Sequence, residues 1–165
     1  MNTGQTLLTI IAIVLLGSNV VSINRTFTQH GVILQHTEIG IFGVSLAMSV
    51  VEEAQGKAFD HNTADSLALA TNELTQVANL GKEAGETDRT TFNDFDDYNN
   101  WRDTVRIEGV DTFFRWARVV YVDTANVNLA SASRTWHKKM SIFVKGETAT
   151  DTLQMGYIFS YWSFR

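Results

Sequence analysis

Within six residues the chain places Asp94, Asp96, Asp97 and Asn99, in the phrase FNDFDDYNNW. Clustered carboxylate and amide oxygens are what a hard divalent cation takes, so this stretch is a candidate calcium site. An EF-hand is excluded, because the fifth and twelfth positions counted from Asp94 are Tyr98 and Val105. The same loop holds Glu83, Glu86, Asp88 and Asp103 against Arg89 and Arg102. A solvated acidic loop without a ligand is therefore the competing reading. Adjacent carboxylates also suit general acid–base work, but no nucleophile or partner accompanies them.

The histidines His30, His36, His61 and His137 are scattered. His30 and His36 lie six residues apart, about 240° around a helix, and cannot chelate one metal ion from one face. There is no HExxH, no GxSxG and no phosphate loop, so the chain is not expected to be an enzyme. Zero cysteines exclude a disulfide framework, thiolate zinc sites, iron–sulfur ligation and thioether-attached haem. With 13 Lys and Arg against 18 Asp and Glu, no basic stripe is available to neutralise phosphates, and nucleic acid is not an expected partner. Aromatic residues gather near the C-terminus as Tyr157, Phe159, Tyr161, Trp162 and Phe164. Ordinary sheet packing accounts for them, and contact with neighbouring subunits or a ligand is the sharper alternative. Asn24-Arg25-Thr26 matches the N-glycosylation pattern, which is short enough to occur by chance.

The groups capable of chemistry are confined to one part of the chain. Residues 1–37 carry a single charged side chain, Arg25, and residues 38–165 hold the other 12 basic and all 18 acidic ones. A length of 165 residues has room for one ordinary domain and an appendage. From Thr6 to Ile23 the run TLLTIIAIVLLGSNVVSI is uncharged for eighteen residues, about the length of a bilayer span. Apolar nearly all round, it must bury every face in lipid or in copies of itself. The residues that would do so are Leu7, Leu8, Ile10, Ile11, Ile13, Val14, Leu15, Leu16, Val20 and Val21. Three other readings compete. A cleaved secretory signal would want a basic start, which MNTGQ lacks. A simple single-pass anchor would want a polar linker behind it. The third is a buried core helix.

After Arg25 the helical pattern resumes, with Gln35, Glu38, Ser45, Ser49 and Glu52 on one polar stripe and Val32, Ile33, Ile39, Ile41, Val44, Val50 and Val51 filling the rest. A helix from about residue 2 to about residue 55 would be on the order of 80 Å long. The absence of proline permits it, while Gly17, Gly31, Gly40 and Gly43 are places where it would bend or melt. Its exit is expected in AQGKAFDHN, residues 54–62. Beyond it, DSLALATNELTQVANL has partial helical spacing. Strand-like runs at 103–108, 112–122, 135–145 and 152–164 then predict an antiparallel meander. In the third run Met140, Ile142 and Val144 share one face. The expected fold is α+β: a long N-terminal helix packed on a C-terminal antiparallel sheet of about four strands. The expected organisation is a hydrophobic helix over 1–24, its amphipathic continuation over 25–58 and a globular head over 59–165.

A long helix, apolar at first and one-sided later, ahead of a polar sheet domain, resembles the type IV pilins and related pseudopilins. The phrase FNDFDDYNNW with the later KKMSIFV strand is similar to minor pilins of the mannose-sensitive-haemagglutinin type. The resemblance covers the chain end to end. It implies a homo-oligomeric extracellular filament at the cell surface, whose subunits wait in the inner membrane and are moved by pilus assembly machinery. It also implies roles for particular positions. The family's mature chain usually begins with Phe or Met and has Glu fifth, and Met1 and Gln5 fall there. Glutamine keeps the reach of glutamate but not its charge, which weakens pairing with a neighbouring subunit's N-terminal amine. Alternatively MNTG is a leader ending in the family's cleavage glycine, Gly4, and Gln5 is the first mature residue. The helix proline frequent in the family is missing. Some pseudopilins hold calcium in a loop at this stage of the fold, in line with a cation at Asp94, Asp96, Asp97 and Asn99. The rival from another class is a monomeric membrane-anchored binding module, capturing a ligand through the acidic loop or the C-terminal aromatics.

Overall fold

In the computed structural model, which describes residues 2–164, a single helix α1 runs unbroken over Thr3–Gln55. Met1 lies outside the described residues, as does the side chain of Phe164. No proline interrupts α1, and several of its polar side chains bond within it rather than breaking its backbone ladder. Thr9 Oγ1 donates to Gln5 O at 2.8 Å, Asn19 Nδ2 to Leu15 O at 3.0 Å and Thr26 Oγ1 to Ser22 O at 3.0 Å. Gly17, Gly31, Gly40 and Gly43 leave the helix continuous.

The chain divides into two compact units, Met1–Glu38 and Ile39–Arg165. In the first, every described residue is exposed except the half-buried Thr6. In the second, the end of α1 buries Ile39, Gly43, Ala47, Val50, Val51 and Ala54, a three- and four-residue spacing that makes one face. That face differs from the expected one. Ile41 and Val44 are exposed, as are Val32 and Ile33 in the first unit, and small residues take their place. Small side chains let helix and sheet approach closely: a Cβ at Gly43 would sit 3.7 Å from Leu153 Cδ2.

The strands are β1 (Arg102–Ile107), β2 (Asp111–Asp123), β3 (Asn126–Ala130), β4 (His137–Gly146) and β5 (Leu153–Ser160). All pair antiparallel in the order β1-β2-β4-β5, with β3 paired to the end of β2. There are thus five strands where about four were expected, β3 lying in a stretch rich in turn residues. β2 and β4 alternate, burying Phe113, Ala117, Val119 and Tyr121 from one and Met140, Ile142 and Val144 from the other. All of these but Tyr121 close a core with Val50, Val51 and Ala54 of α1, and Tyr121 joins Phe59, Leu74 and Tyr161 in a second, smaller cluster. The protein is therefore α+β, a long N-terminal helix packed through its last turns on an antiparallel sheet. Between them, DSLALATNELTQVANL forms no α-helix. It resolves into single 3-10 turns, including Thr71–Glu73 and Val77–Asn79, with Leu67 and Leu69 exposed and Leu74 and Leu80 buried. The run 152–164 ends as a strand at Ser160 and continues as a turn, Tyr161–Phe164.

Candidate functional site

The first candidate surface is the apolar helix. Leu7, Leu8, Ile10, Ile11, Ile13, Val14, Leu15, Leu16, Val20 and Val21 are all exposed, from 47% at Ile11 to 69% at Leu16. An 18-residue window of α1 has mean hydropathy 2.3 and none of it is buried within the chain. Fully burying one such side chain stabilises by about 1.5–3 kcal/mol, and with these roughly half to two-thirds exposed the ten forgo on the order of 10 kcal/mol in water. Water is therefore the wrong medium for it. Length and composition are compatible with membrane anchoring. Thr9, Ser18 and Asn19 each donate to a carbonyl of their own helix, which lowers the cost of placing them in an apolar medium. Gln5 lies exposed in the first turns.

The second lies in the head, where the loop before β1 meets β2 and β4. Lys138, fully buried, donates from Nζ to Phe59 O and Asp60 Oδ2, each at 2.8 Å, and to Asp96 Oδ1. One cation between two carboxyls compensates only one of them. Asp60 also receives Asn62 N, Thr75 N, Thr75 Oγ1 and the Tyr121 hydroxyl. Burial alone would raise its pKa, but the Lys138 charge and these donors hold it below the ordinary carboxylate value. Asp96 has no such support, and burial, opposed by Lys138 and aided by the Asp60 charge, pushes it upward.

Next to this network the acidic residues converge. Asp94 Oδ1 accepts from Asp96 N at 2.7 Å and Asp97 N at 3.3 Å, while Asp97 Oδ2 accepts from Asn93 N at 2.9 Å and Asp94 N at 3.1 Å. Their second oxygens, Asp94 Oδ2 and Asp97 Oδ1, are buried without a partner, as are Glu83 Oε2, Glu86 Oε1 and Asp96 Oδ2. One carboxylate oxygen from each of Glu83, Glu86 and Asp97 lies within 4.8 Å of the others, and a second such group joins His61, Glu83 and Asp94. Burial, and then the neighbouring Glu86, Asp97 and Asp96, push Glu83 up to about 8. Burial and the Asp96 charge push Asp94 up to about 9. Asp97 is pushed up to about 6, by burial against its backbone donors and by Glu86. Glu86 is displaced the other way: burial would raise it, but the Glu83 amide, donating to Glu86 Oε2 at 2.9 Å, and the adjoining carboxyl groups outweigh that.

Of the four oxygen-bearing residues read from the sequence, two are therefore committed elsewhere. Asp96 holds Lys138, and Asn99 gives Nδ2 to Leu80 O at 2.8 Å while its Oδ1 accepts Val119 N at 3.0 Å. Glu83 and Glu86 take their place beside Asp97. They stand more than ten positions upstream in sequence, and only their acidity marked them. His30 and His36 are exposed on α1, and His61 Nδ1 is 3.7 Å from Glu83 Oε2. Of the C-terminal aromatics, Phe159 and Tyr161 are buried, whereas Tyr157 and Trp162 are exposed. Compared with known proteins, the chain matches no family model, no curated protein and no solved structure.

Proposed function

We propose that the protein is a structural subunit of an extracellular type IV pilus-like filament at the cell surface. It is held in the inner membrane by α1 before assembly and then moved by pilus assembly machinery into a bundle of sibling helices. The observation that carries this reading is the exposed apolar surface from Leu7 to Val21, on a helix whose Thr9, Ser18 and Asn19 bond back to its own carbonyls. Such a surface is stable in lipid and equally stable against copies of itself, so transfer between the two avoids water. Close approach between helices is available at Gly17, where a Cβ would meet nothing within 4 Å. The pilin-like order of elements, a long apolar helix packed by its end on an antiparallel sheet, supports the same reading. The head then decorates the fibre and carries no catalysis.

Replacing Val14 with Asp places a charge in that surface. Sheared surface material from cells expressing this variant, imaged by negative stain and immunolabelled for the chain, should lack fibres that the parent produces. Fibres of normal abundance would overturn the assignment. Parent cells that hold the chain only as a detergent-extractable monomer would favour a membrane-anchored binding module instead.

A further inference from the structure

We propose that the outer face of the sheet binds an acidic polysaccharide, a chain of sugar rings only some of which carry a carboxylate. This goes beyond the filament reading and holds whether or not the chain polymerises. The face follows from the register. β2 and β4 turn Phe113, Ala117, Val119, Met140, Ile142 and Val144 inward, so the residues between them look outward. Pairing sets Arg102 opposite Trp116, Trp116 opposite Phe143 and Phe114 opposite Lys145. Arg102, Arg106, Arg118, Lys139 and Lys145 thereby come to one face, and among the described residues of β1, β2, β4 and β5 no acid shares it. No single run of the sequence brings these cations together; the fold collects them, in a chain of net charge −5. Arg89, Arg115 and Lys138 pair with Glu53, Asp103 and Asp60. None of the five outward cations forms an ion pair among the described residues. Lys139 Nζ donates to Val127 O at 3.2 Å and Asn128 Oδ1 at 3.1 Å, both uncharged. Unpaired charge of one sign gathered on one surface attracts a polymer of the other.

The kind of polymer follows from what lies between the charges. With strands about 4.8 Å apart and same-face neighbours about 6.7 Å apart along a strand, this register sets nearest cations roughly 8–12 Å from one another. Each strand of duplex DNA carries a charge about every 3.4 Å, a far denser row than these cations answer, and the acidic remainder of the chain repels it. An acidic polysaccharide spaces its carboxylates by whole rings. The intervening surface suits those rings: Trp116 and Phe143 stack with centroids 5.3 Å apart and planes within 10°, and Phe114 is 42% exposed. Aromatic faces take the carbon-bearing side of a sugar ring. Thr104, Ser141 and Gln154 stand on the same face, opposite Phe114, Arg118 and Phe143, and can bond the hydroxyls of uncharged rings.

The test uses the full chain in detergent micelles, titrated into fluorescently labelled alginate oligomers, a polyuronate, and followed by anisotropy. Binding should saturate at low salt and weaken about tenfold when the salt is raised from about 50 to about 300 mM. Arg118→Gln combined with Lys139→Gln should weaken it about tenfold. Arg102→Gln combined with Lys145→Gln should do the same and serves should the first pair fail to fold, near-UV circular dichroism reporting the fold in each case. Trp116→Leu should weaken binding about threefold or more while leaving its salt dependence unchanged, which separates ring stacking from charge. A parent that ignores alginate overturns the proposal, as does undiminished binding by both paired variants. Equal affinity for neutral dextran, or tighter binding of oligothymidylate or polyglutamate than of alginate at the same salt, overturns it too.

Discussion

In residues 3–38 the apolar side chains are exposed and most of the hydroxyls bond back to the helix that carries them, whereas in residues 39–165 Asp60, Asp94, Asp96, Asp97 and Lys138 are all 0% exposed. The first region reverses the usual arrangement, and the second buries charges beside an ordinary apolar core. An exposed apolar helix gains nothing from its own chain, so its free energy is completed by lipid or by protein outside it. A buried charge is tolerable only where a partner waits within the fold. Lys138 shows that closure with named donors and acceptors, and Glu83, Glu86 and Asp97 show acids that face one another beside it. The helix thus leaves its apolar surface to whatever surrounds the chain, while the head encloses these charges.

Breaking each region should therefore have opposite consequences. Lys138→Met leaves Asp60 and Asp96 buried without their cation, and removing one partner of a buried pair costs about 3–5 kcal/mol. Denaturant unfolding of the full chain in detergent, followed by tryptophan fluorescence, should show a loss of that size. Val14→Asp should move the same unfolding midpoint by less than about 0.5 kcal/mol, although it abolishes fibres. A helix variant that destabilised the head as much as Lys138→Met would erase the contrast.

A middle-sized effect is expected where helix and sheet meet inside the second unit. A Cβ added at Gly146 would come 2.6 Å from Asp111 Oδ2 and 3.1 Å from Ile39 Cγ2. The Asp111 carboxylate cannot simply swing away, because it accepts Thr148 N at 3.1 Å and Thr148 Oγ1 at 2.8 Å. Gly146→Ala should cost about 1–3 kcal/mol by overpacking, read from the same unfolding curves. Gly17→Ala, in open space, should leave the head's midpoint unchanged. Equal stability of the two variants would mean that Ile39 and β4 are not held together as described.

What was legible in the sequence is what local periodicity encodes. The uncharged run from Thr6, the exit after Ala54 and the alternation of Met140, Ile142 and Val144 each depend on neighbours three, four or two positions away. β3 was not legible, since Asn126–Ala130 sits among turn residues, is mostly exposed and so carries no burial alternation. The acidic site was half legible. Adjacency in sequence suggested Asp94, Asp96, Asp97 and Asn99 as one set. The 3-10 turn instead sends Asp96 to Lys138, about forty residues away, and a backbone pair claims Asn99. Glu83 and Glu86 reach Asp97 through a loop path that no fixed spacing records. The buried face of α1 was legible in part: Ile39, Val50 and Val51 are buried as expected, but close packing selected Gly43, Ala47 and Ala54 in place of the larger Ile41 and Val44.

The smallest effect tests a pair that belongs fully to neither regime. Glu53, near the end of α1, is bonded by Arg89 and accepts the Tyr98 hydroxyl at 2.8 Å, and its side chain is 27% exposed. Burial alone would raise its pKa, but Arg89 and Tyr98 outweigh that and hold it below the ordinary 4.5. A carboxyl depressed by folding contributes stability that is present above its unfolded pKa and lost as pH falls through the folded one. Because water still reaches the pair, that contribution is modest, about 0.5–1 kcal/mol. Glu53→Gln should lower stability by that amount at pH 7. The gap between parent and variant should close as pH drops below 4.5, and unfolding curves collected from pH 7 down to about 3 will show whether it does. A gap that stays constant with pH would mean that Glu53 serves by its shape and not by its charge.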